Sequence, residues 1–144
     1  MSDKKQIIPI TNIQNRIFTI RGVQVMLDKD LAKLYEVETK NLNRAVNRNK
    51  ERFPENFRFQ LTNEEWENLR LQIETSKSND ESLRFQNGTL EKGSGKHRKY
   101  FPFVFTEQGV SMLSAVLRSE VSIRISIEII NALHFLKWNY RQVR

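Results

Sequence analysis

The chain has 144 residues, no cysteine, and 24 Lys and Arg against 17 Asp and Glu, a formal net charge of +7 and a pI of about 9.9. The length suits a single domain, and the lack of cysteine excludes disulfides and thiolate metal sites. A basic excess of this kind favours polyanionic partners over neutral ones and is silent on fold.

Residues 1–15 start polar and read as a flexible segment, with neither the apolar run of a signal peptide nor any stretch near the roughly 18–20 residues that span a bilayer. A cytoplasmic protein without a membrane partner is expected. Residues 16–26, RIFTIRGVQVM, carry β-branched and apolar residues on both sides of Arg21-Gly22. This predicts a β-hairpin in which Gly22 supplies the positive φ of a tight turn. Leu27, Leu31, Leu34 and Tyr35 follow at helical spacing, with Asp28 as a candidate N-cap. A second helix is expected from Thr39, ending before Phe53 because Pro54 disfavours helical geometry in its predecessor.

Residues 56–62 alternate Phe57, Phe59 and Leu61 with polar residues, the pattern of a half-buried strand. Thr62 and Glu65 then form a capping box ahead of the stripe Trp66, Leu69, Ile73. From about 74 to 99 the chain is polar and Gly/Ser-rich and reads as a flexible loop. LRLQIET (69–75) recurs there as LRFQNGT (83–89), the trace of a local duplication or a chance similarity. In YFPFVF (100–105) Pro102 demotes a strand to an edge or bulged position. Thr106 can cap a helix through Leu117, and Ser119 another to about Tyr140. The alternation Val121, Ile123, Ile125, Ile127, Ile129 also fits a strand, but the continuation through Leu133 and Leu136 favours a long helix. The fold class is therefore α+β: a helix-turn-helix-like core, short strands with a hairpin, and a long C-terminal helix.

The two helices spanning 28–52 carry the functional signal. A small residue, Ala32, stands where the first helix would cross the second, flanked by Leu31 and Tyr35. Val37 lies in the turn and Leu42 and Ala45 beyond it. These spacings suit a helix-turn-helix, except that Glu36 stands where the turn usually takes Gly for its positive φ. At about 100° per residue, Leu42, Ala45 and Val46 share a buried arc while Lys40, Asn43, Arg44 and Asn47 face away, with Arg48 beside them. Arg can pair with guanine edges and Asn with adenine edges, so Lys40, Asn43, Arg44 and Asn47 are the candidate base readers. Residues 39–52 hold five basic residues against Glu51, five minus one or +4. Arg48, Lys50 and Arg52, with Thr39, are candidate phosphate contacts. A solvated helix that packs by Leu42 and Val46 gives the same pattern without reading DNA. Asn49 lies on the apolar side and is expected to end the helix.

Lys96, Arg98 and Lys99, with Lys92 and His97, form a basic run that either tracks phosphates or is solvated. His134 in its apolar helix reads as a packed or boundary residue, and FTEQG (105–109) as a capped strand-to-helix junction. No nucleophile, acid/base pair, phosphate loop or metal set stands out, so neither an enzyme nor a cofactor is expected.

Three segments, IRGVQVMLDKDLAKLYEVETKNLN, NRNKERFPENFRFQLTNEEW and YFPFVFTEQGVSML, together resemble the phage open-reading-frame-six N-terminal domain family, which is related to the KilA-N and BRO-N domains. The likeness runs from about Ile17 to Trp138. It departs at Glu36, at the expanded loop, and at GKHRKYFPF, which replaces a more Arg-rich approach to the strand. The resemblance implies a module that binds double-stranded DNA in phage or prophage regulatory proteins, often antirepressor-like, with LAKLYEVETKNLNRAVNRN as its core. The alternative is a module that binds a repressor or other regulator without reading DNA; RNA binding is weaker, since no aromatic platform interleaves the basic residues. The isoleucine-rich C-terminal helix offers a face for a homodimer or for ordinary core packing.

Overall fold

Around Arg21-Gly22 the chain reverses as the sequence predicts: β1 (Ile17–Ile20) pairs antiparallel with β2 (Val23–Leu27), Ile17 opposite Met26 and Ile20 opposite Val23. The computed structural model describes residues 10–76 and 101–143. They fall into two compact units, one within Met1–Phe59 and Phe103–Arg144, the other within Gln60–Pro102. In the hairpin both turn residues are left-handed, Arg21 at φ 56° and Gly22 at φ 77°, a type I′ geometry. Arginine at such a position costs on the order of 1 kcal/mol. Its guanidinium offsets this by lying 4.1 Å from the Phe59 ring centroid and 3.7 Å from the Glu55 carboxylate.

A four-stranded sheet follows, with β3 (Arg58–Gln60) and β4 (Phe103–Phe105) in the order β1-β2-β4-β3. Of the edge or bulged position expected from Pro102, the edge is corrected: β4 lies inside the sheet, antiparallel to β2. Pro102 precedes the first strand residue, so its missing N–H falls outside the ladder.

Six α-helices lie among the described residues, and five of them belong to the first unit. The first, α1 (Ile10–Gln14), revises the expectation of a flexible 1–15 segment, because Ile13 is fully buried; residues 1–9 lie outside the described residues. The pair α2 (Asp28–Tyr35) and α3 (Thr39–Arg48) follows, then a 3-10 turn at Lys50–Arg52. α4 (Asn63–Ser76) belongs to the second unit, and α5 (Glu107–Leu117) and α6 (Glu120–Val143) complete the first. Thr106 caps α5 by accepting from the Gly109 N–H at 3.3 Å. Ser119 and Ser122 exchange reciprocal bonds at 3.0 Å that start α6.

The ambiguous isoleucine run is helical. Ile125, Ile129, Ala132 and Leu133 enter the core at i, i+4, i+7 and i+8, while Ile123 and Ile127 are 52% and 55% exposed. The core joins Met26, Leu31, Tyr35, Leu42, Val46, Phe105 and Leu113 to that face. Phe53 meets Phe105 edge-to-face at 5.9 Å. The buried Tyr35 hydroxyl bonds Ser126 Oγ at 2.8 Å, and burial pushes its phenol up to about 12.

In the second unit the capping box forms as read. Glu65 N–H donates to Thr62 Oγ1 at 3.1 Å, and Thr62 N–H to Glu65 Oε1 at 2.9 Å. Leu61, Trp66 and Leu69 are buried, and the Leu61 N–H donates to the Pro102 carbonyl at 2.9 Å. α4 continues to Ser76, past the point where a loop was expected at about 74. The rest of that loop, with the second LRFQNGT copy, lies outside the described residues.

Candidate nucleic-acid interface

Three residues, Glu36 to Glu38, connect α2 to α3. Glu36 occupies the left-handed region at φ 64°, ψ 40°, the conformation that the turn demands and that Gly would adopt without strain. The Val37 N–H donates to the Ala32 carbonyl at 2.9 Å, and the Glu36 N–H to that of Lys33 at 3.2 Å, a Schellman closure of α2. Ala32 is buried, as its place at the crossing predicts, but Val37 is 38% exposed rather than packed into the turn. The Schellman bonds fix the turn without its side chain.

Leu42 and Val46 anchor α3 in the core with no exposed surface. The opposite face carries Lys40, Asn41, Arg44, Asn47 and Arg48, all exposed, and Lys50 and Arg52 continue it as exposed residues. Thr39 is half-buried at the start of α3, whose N-cap is Glu38. Arg44 Nη1 lies 3.5 Å from Asn41 Oδ1, and Lys40 Nζ 4.0 Å from Glu38. Both contacts are at the limit of useful geometry, so these exposed side chains are only loosely held.

Asn43 is brought elsewhere. Its side-chain amide donates to Asp28 Oδ2 at 3.0 Å, and the residue is half-buried. Asp28 is 2% exposed and stands as the first residue of α2 rather than its cap. The same Oδ2 accepts the Phe103 N–H at 3.4 Å, so one carboxylate ties together α2, α3 and β4. A buried arc centred on Leu42, Ala45 and Val46 puts Asn43 outward. Ala45 is half-exposed, which turns the arc toward Val46 and leaves Asn43 only about 80° from its centre. Asn41, about 120° away, is the outward asparagine that the sequence reading missed. Asn49 ends α3 as expected, its Nδ2 donating to the Ala45 carbonyl at 2.9 Å.

Lys96, Arg98 and Lys99, with Lys92 and His97, lie outside the described residues. His134, expected as a packed or boundary residue, is exposed. Its Nε2 sits 2.8 Å from Glu107 Oε2, and Lys137 Nζ donates to Glu107 Oε1 at 3.0 Å. Burial raises the Glu107 pKa, but these two bonds outweigh it and hold the carboxyl below the ordinary range. These three residues belong to α5 and α6, not to the α3 face. No group of three or more metal-ligating side chains occurs among the described residues. No helix among them is long and apolar enough to cross a membrane.

A family model described as the ORF6N domain matches residues 15–116, which include the α2–α3 pair, the sheet and most of α5. Neither a curated protein nor a solved structure gave a match. The matched stretch covers well over half of the chain, and the chain therefore belongs to the ORF6N family, a phage-type regulatory domain.

Proposed function

We propose that the chain binds double-stranded DNA with sequence preference, using α2 and α3 as a helix-turn-helix. In this reading α3 enters the major groove of a site controlled by a phage or prophage regulator. One observation carries it: α3 is anchored by Leu42 and Val46 and turns Lys40, Arg44 and Asn47 to solvent on one continuous face. Arg44 and Asn47 supply bidentate base recognition, with Lys40 and the neighbouring Asn41 beside them. Arg48, Lys50 and Arg52 extend the face as phosphate contacts, and Thr39 lies at its start. Asn43 acts from behind, by positioning α3 through Asp28. Transcription regulation, an antirepressor-like role and a cytoplasmic setting accompany this reading.

Duplex binding at several salt concentrations tests it, comparing the wild type with an Arg44→Ala/Asn47→Ala variant. A steep salt slope with loss of base preference in the variant is expected. Unchanged preference overturns the recognition-helix assignment.

A second reading rests on α6, where Ile123, Ile127 and Phe135 are exposed while the opposite face fills the core. A second copy of the chain meeting this stripe would give a homodimer that presents two α3 helices to one duplex. Sedimentation of the wild type and Ile127→Asp decides it, a monomer in both cases ruling it out. If no duplex binds even at low salt, a module that engages a repressor or other regulator replaces the DNA reading.

A further inference from the structure

A pocket of about 230 Å³ opens between the end of α3 and the end of α5, lined by Asn49, Arg52 and the segment Ala115 to Arg118. Its lining is polar, and two arginines, Arg52 and Arg118, border it from different elements. Neither side chain has an ion pair or hydrogen bond among the described residues.

Arg118 is also held in a costly conformation. It ends α5 at φ 54°, ψ 39°, its N–H donating to the Ser114 carbonyl at 3.2 Å. Gly fills such a position without strain, whereas arginine does not. Arg21, left-handed in the hairpin turn, stacks on Phe59 and pairs with Glu55, but Arg118 has no such compensation among the described residues. A strained residue whose side chain lies idle in the fold points toward a ligand. The carbonyls at the ends of α3 and α5 each offset roughly half an elementary charge, less than the two positive charges that Arg52 and Arg118 carry.

Charge along α3 shows which end meets phosphate. Glu36 and Glu38 stand exposed at its start against Lys40, whereas Arg48, Lys50 and Arg52 cluster at its end against Glu51 alone. Phosphate attraction is therefore concentrated where the pocket opens.

From this juxtaposition we infer that Arg118 is a DNA-backbone contact: a phosphate of the duplex seats between Arg52 and Arg118 as the strand passes from the end of α3 onto the α5–α6 corner. This rests on the DNA-binding reading of α3. The contact fixes the protein's register on the duplex and carries no base information.

Arg118→Gly tests it cleanly, because glycine relieves the strained backbone while removing the charge. Duplex binding measured against salt should lose about one unit of log–log slope, with base preference unchanged and Tm not lowered. Arg118→Gln, which keeps a long side chain, should show the same loss, and Arg118→Lys should restore the slope. A wild-type slope in both Arg118→Gly and Arg118→Gln overturns this contact and leaves the α3 reading intact. No duplex binding by the wild type at any salt overturns both together. Isothermal titration with inorganic phosphate separates the two sources of this chemistry: phosphate binding lost in Arg118→Gly, with an unchanged DNA slope, makes the pocket a free-anion site and overturns the duplex assignment.

Discussion

Asn43 and Asp28, fifteen positions apart, meet through a 3.0 Å hydrogen bond that joins the second helix of the pair to the first residue of the other. Because the Asp28 carboxylate is buried and also accepts the Phe103 N–H, its removal strands two donors at once. Asp28→Ala should lower unfolding stability by about 1–3 kcal/mol, and Asn43→Ala by roughly 1 kcal/mol. The sharper expectation concerns DNA. Asn43→Ala should weaken binding evenly across duplexes while keeping base preference, whereas Arg44→Ala should relax it. Urea unfolding together with competition between duplexes checks both, and a base-specific loss in Asn43→Ala would return that residue to the reading face.

The junction after β4 depends on a glycine for a steric reason. A Cβ at Gly109 would collide with the Phe57 carbonyl oxygen and crowd the Phe105 ring. That same carbonyl already accepts the Thr106 N–H at 3.0 Å, so it cannot move away cheaply. Gly109→Ala should destabilise by at least about 1–3 kcal/mol despite alanine's better helix propensity. Thermal unfolding against a Ser111→Ala control, an exposed position in the same helix, reads the difference. A gain in Tm for Gly109→Ala would show that the junction relaxes freely.

Much of this architecture was legible because its signals are local. The Arg21-Gly22 hairpin, the Thr62/Glu65 box, the Thr106 and Ser119 caps and the stop at Asn49 each rest on residues within a few positions of one another. What escaped depends on distant partners. The burial of Ile13, the interior place of β4 and the Asp28–Asn43–Phe103 junction involve segments far apart in the chain, which periodicity does not connect. On α3 the outward placing of Lys40, Arg44 and Asn47 matches their exposure, and that of Asn43 differs by a small rotation of the buried arc. That rotation was enough to exchange Asn41 for Asn43. Arg118 gave no signal in the sequence, since a left-handed helix end usually announces itself by glycine.

Acid should expose the Glu107 ion-pair cluster. Its folded pKa lies below the unfolded value, so the folded state binds fewer protons than the unfolded state in the window between them. The stability it contributes is fully present above the ordinary carboxylate value and is lost as pH falls through the folded one. Asp30 works in the opposite sense: burial raises its pKa more than Arg16 and Lys29 lower it, so stability is lost as pH rises from the ordinary aspartate value through the folded one. Unfolding followed from pH 6 downward should therefore show a shallower acid decline in Glu107→Gln than in the wild type. Identical declines would mean that solvent screening cancels the His134 and Lys137 contacts.

The turn offers a last test, because its two acids act on different properties. Glu36 holds a left-handed backbone, and Glu36→Gly removes strain worth about 1 kcal/mol, partly offset by the added freedom of the unfolded chain. A small rise in Tm is expected. Glu38 is exposed at the N-cap of α3 with extended backbone at φ −78°, ψ 146°, and its side chain makes no cap bond. Its charge stabilises the helix end but opposes an approaching phosphate. Glu38→Gln should leave Tm almost unchanged and tighten duplex binding at low salt, an effect that vanishes as salt rises. If Glu38→Gln binds no tighter at low salt, the start of α3 does not approach the duplex backbone, and the helix must dock by its basic end alone.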